Sequence, residues 1–276
     1  MKKNKLRMVL VLDIILLIVS FLAYKHIFQT ETGKRIYSTE SVKFSEENKN
    51  SVFKIDKIIL YSGANVIDNS NGELKSLDIS QFTDMEIFIN NKSKSEELTP
   101  ENTVNELFIE GIKIEGADGL NGQKIFNYKN PLSCGKYSDL LNWNDDGILF
   151  KVLNSNDQNS EANYDEPVFY TDCSNPISLG YINKDILTNC EVNSNNASIS
   201  FDGSILKNAG VALKDLDFKL SFNLHLVNNY NEEFVSNIVI DNKLSDKDGD
   251  DGIYSGYMMQ IINPQDDQYK FIKVSK

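Results

Sequence analysis

The chain has 276 residues, a net charge of −12, and 41% hydrophobic and 10% aromatic content. This composition belongs to a folded chain and excludes a disordered or fibrous one, and the length holds a membrane anchor plus one sizeable domain or two small ones. Residues 1–35 hold seven Lys or Arg and two acids, leaving 21 basic and 38 acidic residues in 36–276. That negative field repels phosphate backbones and argues against nucleic acid as a partner.

Chain order begins with a basic cluster, Lys2, Lys3, Lys5 and Arg7, followed by MVLVLDIILLIVSFLAY from Met8 to Tyr24. At 1.5 Å per residue the apolar run covers roughly 26 Å, nearly the hydrocarbon thickness. Lys25 and His26 extend polar ends to the interface and let Ile27 and Phe28 add to the span, so the reading is a transmembrane anchor over 8–28. Positive charge stays inside, which makes 1–7 a cytoplasmic tail and places the C-terminal bulk outside the cytoplasm. A cleaved signal peptide competes, but Phe21 at −3 from Ala23 gives no small-x-small cleavage site. Asp13 lies near the entry end and reads as a tolerated near-interface acid rather than a contact with another membrane helix.

Residues 29–50 are polar without apolar period and read as a stalk. Beyond it, strand-like alternation begins. In SVFKIDKIILYS (51–62) it places Phe53, Ile55 and, after Lys57, Ile59 and Tyr61 on one face. TDMEIFINN (83–91) repeats it with Met85, Ile87 and Ile89, and TVNELFIEGIKI (103–114) with Leu107, Ile109 and Ile114. DGILFKVL (146–153) follows with Ile148, Phe150 and Val152.

The clearest strand is DFKLSFNLHLVNN (217–229), whose Phe218, Leu220, Phe222, Leu224 and Leu226 oppose a polar face that includes His225. A turn at 228–231 leads to EFVSNIVID (233–241), giving a hairpin, and GIYSGYMMQII (252–262) and YKFIKV (269–274) complete the series. The expected fold is all-β: an antiparallel β-sandwich ectodomain, Ig-like or jelly-roll, over 51–276 after one transmembrane helix. NSNDQNSEAN (154–163) is the best internal breakpoint and is read as a loop within one sandwich.

Chemistry is sparse. His225 is the only histidine beyond the membrane boundary and reads as a solvated strand residue, so His-based triads and multi-histidine metal sites find no support. Cys134, Cys173 and Cys190 show no C-x-x-C spacing; a bridge between Cys173 and Cys190 needs an oxidising compartment and a geometry that spacing does not reveal. The acidic run DNKLSDKDGDDG (241–252) offers Asp246, Asp248, Asp250 and Asp251 as candidate calcium ligands. The EF-hand pattern fails there, with Asp251 where glycine is required and Tyr257 where a bidentate Glu is expected, and a polar hairpin loop is the simpler reading. Trp143, with Tyr128 and Tyr137 nearby, offers rings that stack on a sugar or fill a core.

The segments QFTDMEIFINN (81–91), ENTVNELFIEGIKI (101–114), DCSNPISLGYINKDI (172–186) and FDGSILKNAGVALKDLDFKLSFNLHLVNNYNEEF (201–234) together resemble an uncharacterised family of membrane-anchored proteins of low-GC Gram-positive bacteria. The resemblance spans most of 50–260 and implies an envelope location, without an activity or catalytic residues to carry over. The leading functional expectation is a non-enzymatic envelope module that binds protein or cell-wall polymer. A carbohydrate-binding module and a carboxylate-dependent extracytoplasmic hydrolase are the alternatives.

Overall fold

Apolar side chains at every second position bury one face of a strand, and in the computed structural model this pattern builds two stacked sheets. The structure describes residues 51–69, 75–91, 99–116, 122–129, 147–153, 167–171, 176–192, 200, 202–246, 252–265 and 268–274, all within the compact unit Phe44–Lys276. The expected anchor (8–28), the stalk (29–50) and the breakpoint 154–163 lie outside the described residues.

Eleven strands are described: β1 (Phe53–Asp68), β2 (Lys75–Asn91), β3 (Val104–Gly116), β4 (Gln123–Tyr128), β5 (Ile148–Leu153), β6 (Val168–Tyr170), β7 (Ile177–Val192), β8 (Phe218–Asn228), β9 (Glu233–Asn242), β10 (Met258–Ile262) and β11 (Ile272–Lys273). The first sheet has the order β10-β1-β2-β7-β4 and the second β11-β9-β8-β3-β5-β6. Every pairing is antiparallel except β5 with β6, which makes the second sheet mixed at that edge. Among the described residues no helix is long and apolar enough to cross a membrane.

Rings from opposite sheets join the two layers. Phe126 of β4 meets Phe222 of β8 with centroids 6.0 Å apart, Phe53 of β1 meets Phe234 of β9 edge-on at 5.6 Å, and Tyr181 of β7 stacks on Phe218 of β8 at 3.9 Å. Tyr128 of β4 sits edge-on to Phe150 of β5 at 5.7 Å and accepts the Val168 N–H on its hydroxyl. Burial pushes that phenol up to about 12. Tyr128 is thus core, while Trp143 and Tyr137 lie outside the described residues.

A second apolar cluster covers the far ends of β1, β2 and β7. Ala64, Leu77, Ile79 and Ile186 meet Ile205 and Leu206 of a short helix, α1 (Ser204–Asn208), together with Leu216, Leu244 and Ile253 from the connecting segments. Asp202 starts α1 by accepting the Ser204 N–H at 2.9 Å, and the hydroxyls of Ser200 and Ser204 hold its carboxyl below the usual range. Between the clusters runs a polar layer. The Ser62 and Thr83 hydroxyls are 2.7 Å apart, and Gln260 Nε2 donates to Asn242 Oδ1 at 2.6 Å.

Several expectations are borne out. Met85, Ile87, Leu107, Ile109, Ile148 and Phe150 are buried, and so are Phe218 to Leu226 at alternate positions and Phe234, Ile238 and Ile240 of the β8–β9 hairpin. Three need correction. In β1, Asp56 is an extra residue between the pairs Ile55–Ile89 and Lys57–Phe88; the bulge turns Ile58 and Leu60 inward, and Ile59 and Tyr61 outward. Second, β9 and β10 belong to different sheets, so the two do not form a hairpin. Third, only Met258–Ile262 of 252–262 is strand, Ile253–Ser255 being a 3-10 turn whose Ile253 plugs the second cluster.

Phe222 is 1% exposed and contributes one ring to the sheet interface. Phe222→Ala is expected to lower the unfolding free energy by about 3–5 kcal/mol in urea titrations followed by far-UV circular dichroism. Leu149→Ala, at a 59% exposed position, should stay within about 0.5 kcal/mol of the native chain.

Candidate functional site

The bulge at Asp56 has its main effect on the outer face of the first sheet. Register then sets the outward residues in rows: Met259, Tyr61, Asp84, Gly180 and Asn127 in one, with Glu86 opposite Ser178 in the next. Phe82 lies opposite Gly63 in the row on the other side.

Three rings meet on this face. Tyr61 and Tyr257 are stacked with centroids 5.2 Å apart at 21°, and Phe82 lies 6.1 Å from Tyr61 and 6.4 Å from Tyr257. Phe82 is the buried base at 7% exposure, whereas Tyr61 and Tyr257 keep 38% and 48% exposed. Gly63 makes this packing feasible, because a Cβ there would come within 2.6 Å of the Tyr257 ring. Beyond Tyr61, the edge strand β10 presents Met259 and Ile261 to solvent.

A polar group adjoins the rings. Lys129 pairs with Asp84, and the Ser178 hydroxyl donates to Glu86 Oε2. Burial pushes the Glu86 carboxyl up, the Ser178 hydroxyl and Lys129 oppose the rise, and the negative charge of Asp84 adds to it. Tyr61 is raised by burial first, then by Tyr257 and Asp84. Asp84 therefore acts on an aromatic neighbour and on an acid, and Asp84 and Glu86, two residues apart on one strand, sit about 7 Å apart along its axis. Chemically, the face offers flat apolar surface beside the Glu86 carboxyl and the paired Asp84 carboxylate and Lys129 ammonium. Such a set can hold a ligand that is apolar on one side and rich in hydroxyls on its rim.

His225 is not solvated, contrary to its place on a polar strand face; it is 2% exposed. Its ring stacks on Phe108 at 4.0 Å, with Nδ1 2.9 Å from Glu233 Oε1 and Nε2 3.0 Å from Glu110 Oε1. The two acids lie at opposite nitrogens and do not converge, so the cluster ties β3, β8 and β9 together without forming a metal cage.

Of the candidate calcium ligands, Asp246 ends a 3-10 turn over Leu244–Asp246, while Asp248, Asp250 and Asp251 lie outside the described residues. Among the described residues no group of three or more His, Cys, Asp or Glu is placed to hold a metal ion. Cys190 is a half-buried free thiol on β7, and Cys134 and Cys173 are outside the described residues.

Sequence reasoning missed Tyr61, Phe82, Asp84, Glu86, Lys129 and Tyr257 as a group. The available signal was TDME, which carries acids at alternate positions opposite the inward Met85 and Ile87. Comparison with protein-family models, with curated proteins and with solved structures yields no match.

Two measurements probe these clusters. A carboxyl raised in the folded state contributes stability that is complete below its ordinary value of 4.5 and is lost as pH rises through the folded value. Glu86→Gln should therefore raise the melting temperature at pH 7 by about 1–3 °C while leaving it unchanged near pH 4. His225→Ala leaves Glu110 and Glu233 without their shared donor and should cost about 2–4 kcal/mol in urea unfolding, with His225→Gln costing less.

Proposed function

We propose that this chain is a membrane-anchored, extracytoplasmic binding module, with 1–7 inside, 8–28 spanning and 29–50 as stalk, whose sandwich, Ig-like or jelly-roll in kind, binds a cell-wall glycan on the outer face of the first sheet. The observation that carries the reading is the exposed Tyr61–Tyr257 stack beside Asp84, Glu86 and Lys129. A pyranose ring is apolar on its C–H face and polar around its rim, and aromatic planes flanked by carboxylates meet both needs. The basic residues before the apolar run, and the resemblance of several segments to membrane-anchored proteins of Gram-positive bacteria, support the envelope placement.

Two observations favour other readings. Met259 and Ile261, 60% and 53% exposed on the edge strand β10, favour a protein partner docked along that edge. The spacing of Asp84 and Glu86, with Glu86 raised, favours a carboxylate-dependent hydrolase.

Co-sedimentation of the detergent-solubilised full chain with purified peptidoglycan tests the glycan reading. Tyr257→Ala should weaken binding at least about tenfold, the loss of a stacking contact worth about 1.4 kcal/mol, with melting little changed. Undiminished binding by Tyr61→Ala and Tyr257→Ala would remove this face from the proposal. Release of reducing ends by the native chain and not by Glu86→Gln would replace binding with hydrolysis.

A further inference from the structure

An edge strand offers a row of backbone N–H and C=O groups to any strand that docks on it, and folded proteins blunt such edges with shortness, charge or proline. Among the described residues the sheets end in β10 and β4, and in β11 and β6. β6 and β11 hold three and two residues, and β4 carries Lys124. β10 has none of these devices. It runs for five residues, MMQII, inside a stretch from Gly252 to Gln265 that contains no charged side chain, in a chain that is 25% charged.

The strand is built as if for pairing on both sides. β1 takes one side, from the pair Ile58–Ile262 to the pair Ser62–Met258, and among the described residues no strand takes the other. Met259 and Ile261 are 60% and 53% exposed, whereas Met258 is buried and Ile262 packs against the core. Gly256, at φ +135°, and Pro264 bound the strand at its two ends.

Symmetry selects the occupant. Two copies related by a two-fold axis normal to the sheet meet with β10 antiparallel to β10, the outer face of one continuing into that of the other. Alternation then sets outward residues opposite outward ones, and only an axis through Gln260 pairs all five positions. In that register Met259 lies opposite the second copy's Ile261, Met258 opposite its Ile262, and Gln260 opposite Gln260. The edge is therefore its own complement, with apolar cross-strand pairs on both faces and no like charges opposed. It also lacks any charge that would select an acidic or a basic peptide.

We propose that β10 is a homodimerisation edge through which two copies of this chain join their five-stranded sheets into one. The junction brings two Tyr61–Tyr257 stacks onto one continuous surface. The pairing rests on the edge and its symmetry, so it stands whether or not those rings bind a glycan. Each copy carries a net charge of −12, so the copies repel at long range, and salt tightens the dimer by screening that repulsion.

Sedimentation equilibrium of the full chain in density-matched detergent tests the assignment. The native chain should dimerise, more tightly at about 500 mM than at about 50 mM NaCl. The double variant Met259→Lys, Ile261→Lys sets lysine opposite lysine and should weaken the dimer at least about tenfold. The double variant Met259→Lys, Ile261→Glu sets lysine opposite glutamate and should recover most of that loss. A monomeric native chain at about 100 μM, a dimer weakened by salt, a dimer that survives the paired lysines, or equal association of the two variants would each overturn the proposal. The salt response is read on the native chain, so a folding defect in a variant cannot mimic it.

Discussion

One extra residue in β1 decides which side of the first sheet does what. A strand alternates strictly, so inserting Asp56 between paired positions inverts every side chain after it. Without the inversion, Ile59 and Tyr61 would face the core, and Ile58, Leu60 and Ser62 would face out. With it, Leu60 joins Met85 against the second sheet, Ser62 meets Thr83 in the polar layer, and Tyr61 reaches solvent to stack on Tyr257. The hydrophobic core and the aromatic face are two consequences of the same bulge.

Bulges also set the far half of the sheet. β7 carries Asp185 and Asn189 at φ 55° and 50°, at the two register shifts against β2. Backbone N–H groups released by the shifts are taken by β2 side chains: Ser80 Oγ accepts from Asp185 N at 2.9 Å and Asp78 Oδ1 from Asn189 N at 2.8 Å. The strands therefore continue past the sandwich as a platform for the second cluster, where α1 and Ile253 supply the apolar cover that the second sheet supplies elsewhere. Tyr254 reinforces that cover by donating its hydroxyl to the Val211 carbonyl.

Legibility in the sequence followed the regularity of alternation. β8 and β9 were readable because one face is apolar at every second residue and the turn between them is rich in Asn. β7 was not recognised as a strand, since Ile177 to Tyr181 are buried on both sides and two residues at positive φ interrupt the rest. α1 is five residues long, too short for a helical period to show. Tyr61 was assigned to the wrong face because a bulge leaves no composition signal of its own. His225 was judged by its strand neighbours, but its environment comes from Glu110 and Phe108 on β3, more than a hundred residues earlier.

The first sheet departs from an apolar-in, polar-out pattern chiefly along β2, where Gln81 and Thr83 face inward and Asp84 and Glu86 outward within six residues. Most of these departures are compensated. Thr83 has Ser62, Asp84 has Lys129 and Glu86 has Ser178. Gln81 Oε1 and the Asn183 amide are exceptions in the first sheet, as Ser236 Oγ of β9 is in the second. Uncompensated polar atoms placed at random through a core would only destabilise it. Gln81 and Asn183 are register partners across β2 and β7, so that cost falls on one step of the first sheet.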